Sequence, residues 1–274
     1  MRRTHLIAGL PRSGSTLLAA ILRQNPQCRA TMSTPLADVF AGLLHLMSTG
    51  SAFSSRMSDD QRLRVLRATC DAYYAGEPAD AIVFDTSRRW NNFAPVLSQV
   101  FPDARIICCV RSPAWILDSL EKQVQQNALR PAKLIKDDRA ATVYSRASAL
   151  MNGGLVGAAI EGLRQAWFGD FAQQLIAIRY DSLTEKPAEV MGQLYDLLGI
   201  QRFHHDFDDL DYAEDEFDSR LGLPGFHRVA HRVEPSHRET ILPPELFRKY
   251  DQSFWDDPSQ NPRGVTVLFG GERK

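Results

Sequence analysis

Apolar runs and amphipathic stretches alternate along the first 200 residues of the chain. Short apolar runs predict buried strands over residues 6–10, 81–85, 105–110 and 175–179. Stretches with one apolar face predict helices over residues 16–23, 35–47, 59–74, 92–100, 113–125, 158–174 and 187–198. This alternation predicts an α/β fold of three layers, in which a central parallel sheet is flanked by helices.

The turn after the first predicted strand carries the most specific pattern. Gly9 and Gly14 keep the spacing of the glycines in a phosphate-binding P-loop, and Thr16 keeps its hydroxyl. Ser15 stands where a P-loop has its lysine, and a cation lies upstream at Arg12. A guanidinium can hold an anion by two hydrogen bonds while backbone amides cradle it. The turn therefore predicts a P-loop-like fold with a site for phosphate or sulfate rather than for magnesium ATP.

Composition and charge narrow the class of protein. The 274 residues are 44% hydrophobic, which suffices for a large core, and a net charge of -1 gives no general attraction for nucleic acid or anionic membranes. The four cysteines form no Cys-x-x-Cys pair, so neither a disulfide framework nor a zinc site is predicted. No apolar run approaches about 18 residues. We expect a soluble, cytoplasmic protein without a nucleic-acid or membrane partner.

The expected domain organisation is a single domain over residues 1–274. A polar, alanine-rich stretch at about 125–160 predicts a helical cap or lid, and the part from about residue 204 is loop-rich. Two charged stretches in that part are expected as surface loops: residues 206–218 contain eight acidic side chains, and residues 220–238 are rich in arginine and histidine. These histidines come with no matching cysteine or carboxylate pattern, so no metal site is predicted. The oligomeric state is left open.

A second candidate site follows the strand predicted at residues 105–110. Arg111 comes directly after this strand, and Ser119 lies eight residues later in a helix that begins at Pro113. Both belong to one strand-loop-helix corner, which suits a second phosphate.

Three segments together resemble the sulfotransferases that use 3'-phosphoadenosine 5'-phosphosulfate (PAPS), particularly bacterial members and the tyrosylprotein branch. Residues 11–16, Pro-Arg-Ser-Gly-Ser-Thr, are similar to the family's loop for the 5'-phosphosulfate. Residues 110–113 with Ser119 resemble the arginine and serine that hold the 3'-phosphate, and residues 179–183 resemble the segment whose tyrosine, here Tyr180, lies near the adenine. The resemblance covers most of residues 5–200.

The resemblance implies a PAPS-dependent sulfotransferase. Such an enzyme moves a sulfuryl group from PAPS to a hydroxyl, or less readily an amine, of a small molecule, a glycan or a peptide tyrosine, and releases 3'-phosphoadenosine 5'-phosphate (PAP) without a metal. Arg12 would stabilise the charge on the leaving nucleotide and the sulfuryl oxygens, so its role is both catalytic and donor-binding. The 5'-phosphate would be cradled by amides and hydroxyls of Ser13, Gly14, Ser15 and Thr16. Residues 225–232 resemble a late basic loop that closes over the nucleotide, which adds Arg228 and Arg232 to the donor site.

The resemblance leaves the general base open. The tyrosylprotein branch has a glutamate downstream of its loop arginine, and the matching position here is Ser33. The candidates are Asp38, Asp85 and His45. Asp85 is favoured because it stands where many sulfotransferases carry an Asp-Lys sequence near the transferred group, with Arg88 in place of the lysine. An acidic acceptor such as a phenol would need little help from a base.

Two other classes of function stay open. A P-loop kinase for a small molecule or nucleotide would share the architecture, but it needs a lysine on the β- and γ-phosphates where this chain has Ser15. A non-catalytic nucleotide-binding protein would keep the phosphate cradle and lack a base.

Overall fold

All four apolar runs of the sequence form strands at the centre of the molecule. The computed structural model describes residues 2–48, 50, 52–127, 141–210, 212–221, 225–235 and 238–270. Its strands are β1 (Arg3–Gly9), β2 (Cys28–Ala30), β3 (Ile82–Thr86), β4 (Ile106–Val110), β5 (Leu175–Arg179) and β6 (Thr266–Leu268). They pair in parallel in the order β2-β3-β1-β4-β5-β6. The parallel sheet expected from the sequence is confirmed, with two short edge strands in addition.

The helices cover both faces of this sheet. They are α1 (Ser15–Arg23), α2 (Leu36–Ser48), α3 (Asp59–Tyr73), α4 (Ala94–Val100), α5 (Pro113–Gln126), α6 (Val143–Met151), α7 (Leu155–Phe168), α8 (Tyr180–Glu185), α9 (Pro187–Leu198), α10 (Asp215–Leu221) and α11 (Pro244–Tyr250). Short 3₁₀ helices span Ala52–Arg56, Arg88–Phe93, Ala172–Gln174, Phe254–Asp256 and Pro258–Gln260.

Alternate residues of the strands fill two separate cores. Leu6 of β1 packs in one core with side chains of α2 to α7, and Ile7 packs in the other with side chains of α1 and α9. Successive side chains of a strand point to opposite faces, so a strand that is buried on both faces reads as one apolar run. This arrangement confirms the three-layer α/β fold.

Some predicted boundaries were wrong. The helix expected over 158–174 is α7, which spans Leu155–Phe168 and is followed by Gly169 with an extended backbone. Residues 180–183, for which no helix is predicted, form the start of α8. Residues 92 and 93 belong to a 3₁₀ helix, so the α-helical part of the stretch 92–100 begins at Ala94.

The stretch expected as a cap or lid contains α6 and the start of α7. The helix α6 is joined to α5 by Arg146, whose guanidinium lies 2.6 Å from the carboxylate of Glu121 in a largely buried ion pair. Residues 128–140 of the predicted lid lie outside the described residues.

The two charged stretches of the C-terminal part lie against each other. Backbone hydrogen bonds join Leu210 to His231 and Val233 to Phe207, and Arg232 forms an ion pair of 2.7 Å with Asp208. The expectation of a wholly exposed acidic loop was wrong, because Asp218 lies in α10 with no exposed surface.

In the described part of the chain, every helix is too short or too polar to span a membrane.

Candidate functional site

The turn between β1 and α1 is fixed by close contact with β4. Gly9 has a φ of 112°, and a Cβ there would lie 2.2 Å from the carbonyl oxygen of Cys109, so only glycine fits. The buried hydroxyl of Ser13 lies 2.5 Å from the carbonyl oxygen of Leu10 and 2.8 Å from that of Cys109. This hydroxyl therefore ties the turn to the sheet. The expectation that it faces a phosphate is wrong, which leaves the backbone amide of Ser13 for that role.

The first turn of α1 is open to an anion. Gly14 is the residue before the helix, with a φ of 96°, and no side chain caps the helix there. Amides in the first turn of a helix have no partner within the helix, and they attract negative charge. A Cβ at Gly14 would lie 3.0 Å from the ring of Tyr180, so a larger residue would crowd the entrance to this turn.

A pocket of about 380 Å³ lies at this turn and collects residues from four parts of the chain. The parts are the β1–α1 turn with the start of α1, the 3₁₀ helix after β3, the ends of β4 and β5, and residues 226–235. Of the residues predicted from the sequence for the site, the lining includes Arg12, Gly14, Ser15, Thr16, Arg88, Arg111, Tyr180, Arg228 and Arg232.

The pocket lining is strongly positive. Among the described residues that line it, five are arginines and one, Glu234, carries a carboxylate. Arg232 is partly neutralised by its ion pair with Asp208, and both of these side chains are exposed. Arg12 and Arg111 lie deeper, and their positive charges face one pocket. Such a lining suits an anion that carries several charges.

Arg12 is held on both sides of its guanidinium. Its backbone has a φ of 57°, in the left-handed region, which costs a non-glycine residue about 1 kcal/mol or more. Its Nε donates to the hydroxyl of Ser119 over 3.1 Å, a terminal nitrogen donates to the carbonyl oxygen of Phe226, and the guanidinium lies 4.6 Å from the centre of the Phe226 ring. Burial, followed by the positive charge of Arg111, lowers the pKa of Arg12.

Ser119 therefore has a different position from the one expected. The sequence paired it with Arg111, but the structure places its hydroxyl on Arg12 and leaves it outside the pocket lining.

Arg111 has an unused hydrogen-bond donor. Its guanidinium lies 4.1 Å from the centre of the Tyr180 ring, and a terminal nitrogen lies 3.4 Å from the carbonyl oxygen of Arg12. Its buried Nε has no hydrogen-bond partner among the described residues. Burial lowers the pKa of Arg111, whereas Tyr180 and Asp181 raise it. A buried donor without a partner is costly, so this N–H marks a place for an anionic ligand.

Asp85, the favoured base, lies away from the pocket. It has no exposed surface, and its oxygens accept hydrogen bonds from Thr34 over 2.7 Å, from the Tyr74 hydroxyl and from the indole of Trp90 over 2.7 Å. Burial raises the pKa of Asp85, and the three hydrogen bonds oppose this. Through Trp90, Asp85 anchors the 3₁₀ helix that carries Arg88. Its oxygens are used within the protein, which argues against a role as general base.

The other expected bases are not in the pocket lining either. Asp38 is exposed and forms an ion pair with Arg89, and His45 is an exposed residue of α2. Of the residues expected to take part in the chemistry, the structure brings Arg12 and Arg88 together and leaves both aspartates outside.

A histidine and a buried aspartate were missed by sequence reasoning. His227 lines the pocket, where it had been placed only in a basic loop. Asp218 lies beneath it, with one carboxylate oxygen 2.5 Å from Nδ1 of His227 and the other 2.8 Å from its backbone nitrogen. No group of three or more His, Cys, Asp or Glu side chains in the described ranges is placed to hold a metal ion.

Comparisons with known proteins identify the family. No curated protein matches the chain significantly. Among solved structures, the sulfotransferase domain of the Synechococcus PCC 7002 olefin synthase is 18% identical, with 91% of this chain and 87% of that chain covered and a TM-score of 0.46. A sulfotransferase from Alicyclobacillus acidocaldarius is 17% identical, with 81% and 90% covered and a TM-score of 0.46. Sulfotransferase STF9 from Mycobacterium avium is 14% identical, with 97% and 79% covered and a TM-score of 0.47.

The family model described as the sulfotransferase family matches residues 6–205, which hold most of β1, all of β2 to β5 and about half of the residues that line the pocket. This match covers well over half of the chain, and the chain therefore belongs to the sulfotransferase family, whose enzymes transfer sulfuryl groups.

Proposed function

We propose that this sulfotransferase uses PAPS as its donor, transfers the sulfuryl group to an acceptor hydroxyl or amine, and releases PAP. The observation that carries the proposal is the presence of two separate anion sites in one pocket. One is the uncapped first turn of α1 with Arg12, and the other is Arg111 with its unpartnered Nε. PAPS has a 5'-phosphosulfate and a separate 3'-phosphate, whereas the phosphates of ATP form one continuous chain.

The residues at the first anion site fit a 5'-phosphosulfate. Amides at the start of α1 and the hydroxyls of Ser15 and Thr16 would hold the 5'-phosphate, as helix N-termini commonly do. Gly14 has no side chain, so the entrance to this turn stays open. A larger residue at this position would contact the ring of Tyr180. Ser13 would contribute its backbone amide only, since its hydroxyl is used within the protein.

The residues at the second anion site fit a 3'-phosphate. Arg111 would donate from Nε, which has no other partner in the described part of the chain. Tyr180 stacks on the guanidinium and would lie beside the adenine, while Arg228 and Arg232 would close the pocket from residues 225–235. Ser119 would act through Arg12, whose Nε it holds.

Arg12 is suited to stabilise the transferring group. In sulfuryl transfer, a bond from sulfur to the bridging oxygen breaks, and negative charge grows on that oxygen. Because Ser119 and the Phe226 carbonyl already fix the guanidinium of Arg12, little reorganisation is needed as the charge develops. Arg88, in the same lining, would add a second positive charge. No metal is part of this proposal.

The acceptor class in this proposal is a hydroxyl of a small molecule, a glycan or a peptide tyrosine. A cytoplasmic location also belongs to the proposal, supported by four cysteines that are all buried, unpaired thiols.

Binding calorimetry with PAP and with magnesium ATP tests the proposal. We expect PAP to bind more tightly than ATP by at least tenfold, because only PAP can reach both anion sites. Adenosine 5'-monophosphate serves as the matched ligand that lacks the 3'-phosphate, and it should bind more weakly than PAP. A preference for ATP would contradict the proposal and favour a kinase.

A further inference from the structure

A histidine–aspartate pair occupies the wall of the donor pocket. The imidazole of His227 is 13% exposed and lies in the pocket lining, and the carboxylate of Asp218 in α10 is fully buried. Asp218 holds the ring through Nδ1 at 2.5 Å and the backbone nitrogen of His227 at 2.8 Å. Two hydrogen bonds that His227 donates to one carboxylate thus fix both the position of the residue and the orientation of its ring.

This pairing decides which ring nitrogen is free. An ionised carboxylate only accepts hydrogen bonds, so Nδ1 of the neutral ring carries the proton and Nε2 keeps its lone pair. The rings of Phe226 and Phe217 pack against the imidazole, with centroids 4.8 and 5.5 Å away. No hydrogen bond engages Nε2 among the residues that the structure describes.

The charges around His227 favour its neutral form. Burial has the largest effect and lowers the pKa of His227, Asp218 raises the pKa, and the cations of Arg12 and Arg88 lower it again. These are the charged groups that face the ring from α10, from the β1–α1 turn and from the 3₁₀ helix after β3. With its pKa below the usual value, the ring is neutral at neutral pH and able to accept a proton.

We propose that His227 is the general base for the acceptor hydroxyl, and that Asp218 is the positioning residue that holds its Nδ1 proton. The inference rests on the proposed sulfuryl transfer and names the base that the sequence left open. It fits the position of His227 beside Arg12, because the acceptor must approach the sulfuryl group that Arg12 would stabilise.

The proton and the bonds balance in a single displacement. The acceptor oxygen forms a bond to sulfur while the bond from sulfur to the phosphate oxygen breaks, and the electron pair of the broken bond remains on that phosphate oxygen. The proton of the acceptor hydroxyl moves to Nε2 of His227. The carboxylate of Asp218 stabilises the resulting imidazolium, which later loses its proton to solvent.

Three single variants test this assignment: His227→Gln, Asp218→Asn and His231→Gln. His231 is a matched control, because it lies in the same segment and its Nδ1 lies 3.4 Å from Asp209, but both side chains are exposed and His231 is outside the pocket lining. Turnover is measured as PAP release from PAPS with a panel of phenols, sugars and tyrosine peptides. Water serves as the acceptor in the same assay if no panel member reacts.

We expect His227→Gln to lower kcat by about 10²- to 10⁴-fold, the usual contribution of a general base. Asp218→Asn should lower kcat by at least tenfold, while His231→Gln leaves it within twofold. In the wild type, kcat/KM for PAPS, which follows the ionisation of the free enzyme, should fall on the acidic side with a midpoint below pH 6.5, and this acidic limb should disappear in His227→Gln. The loss of kcat should be larger with sugar hydroxyls as acceptors than with phenols, because an acidic phenol needs less help from a base.

Nitrogen-15 NMR of the imidazole gives a readout that does not depend on turnover. We expect the His227 ring to carry its proton on Nδ1 in the wild type, and Asp218→Asn to move the proton toward Nε2. A wild-type ring protonated at Nε2, or an unchanged kcat in His227→Gln, would overturn the assignment.

Binding of PAP separates this inference from the proposed function. We expect all three variants to bind PAP within threefold of the wild type, which also shows that they are folded. If the wild type fails to bind PAP, the proposed donor is wrong. If PAP binds and His227→Gln turns over normally, the donor proposal stands and the base is not His227.

Discussion

Arg111 provides the sharpest test of the second anion site. We consider Arg111→Met, which keeps the length of the side chain and removes its charge. In the structure, Nε of Arg111 is buried without a partner, and the terminal contact with the carbonyl of Arg12 is long at 3.4 Å. A 3'-phosphate would therefore gain hydrogen bonds that the protein itself does not use.

The expected loss of affinity follows from these contacts. A hydrogen bond to a charged group contributes about 1.5–3 kcal/mol net, which corresponds to roughly a 10- to 150-fold change in Kd. In the wild type, the positive charge of Arg111 repels that of Arg12 and lowers the pKa of Arg12. The variant removes this repulsion, which offsets part of the lost affinity. The net weakening of PAP binding should therefore lie toward the lower half of this range, at about 10- to 50-fold.

Calorimetry with two ligands isolates the phosphate contact. PAP should bind Arg111→Met about 10- to 50-fold more weakly than the wild type, whereas adenosine 5'-monophosphate should bind both proteins within twofold. Arg105→Met is the matched control, because Arg105 precedes β4 at its opposite end and bonds to the carbonyl of Gln173. It should leave the affinity for both ligands unchanged. Equal losses for PAP and for the monophosphate would refute a specific contact of Arg111 with the 3'-phosphate.

Three further predictions concern stability. Gly9→Ala should lower the free energy of unfolding by at least about 3 kcal/mol in thermal denaturation, because the new Cβ would meet the Cys109 carbonyl and φ is positive; an unchanged Tm would count against this contact. Asp85→Asn should cost about 1–3 kcal/mol in urea unfolding, since three buried donors share the two carboxylate oxygens and the amide keeps only one oxygen, and a neutral effect would argue against the anchor. Burial lowers the pKa of His5 from 6.5 to about 4. Between these pH values, the unfolded chain binds a proton that the folded chain does not. The free energy of unfolding therefore falls as the pH is lowered. His5→Gln should reduce the loss between pH 7.5 and 5 by about 2 kcal/mol, and an unaltered pH dependence would exclude His5 as its source.

The central sheet and the meeting of Arg12 and Arg111 in one pocket were predictable, because these residues stand next to long apolar runs. Arg12 comes after β1, and Arg111 comes after β4. Because these strands are parallel, both arginines lie at the same edge of the sheet. The strands β2 and β6 were not predicted, since three residues each are too few to form a pattern.

The surroundings of Asp85 and Asp218 depend on packing that no local pattern contains. Asp85 ends the apolar run over residues 81–85, as a pocket residue would, but its carboxylate is enclosed by Tyr74 and Trp90 on one face of the sheet. The strand is buried on both faces, so its sequence does not show to which face a side chain turns. Asp218 was read as a solvated charge within an acidic stretch, and only the fold shows that it is buried beneath His227.

A crystal structure with PAP bound would show directly whether Arg12 and Arg111 form the donor site. The 5'-phosphate should lie against the first-turn amides of α1 beside Arg12, and the 3'-phosphate within hydrogen-bond distance of Nε of Arg111. His227 should face the side of the 5'-phosphate from which an acceptor would approach. PAP bound in the reverse orientation, or outside the pocket that Arg12 and Arg111 share, would show that these assignments are wrong.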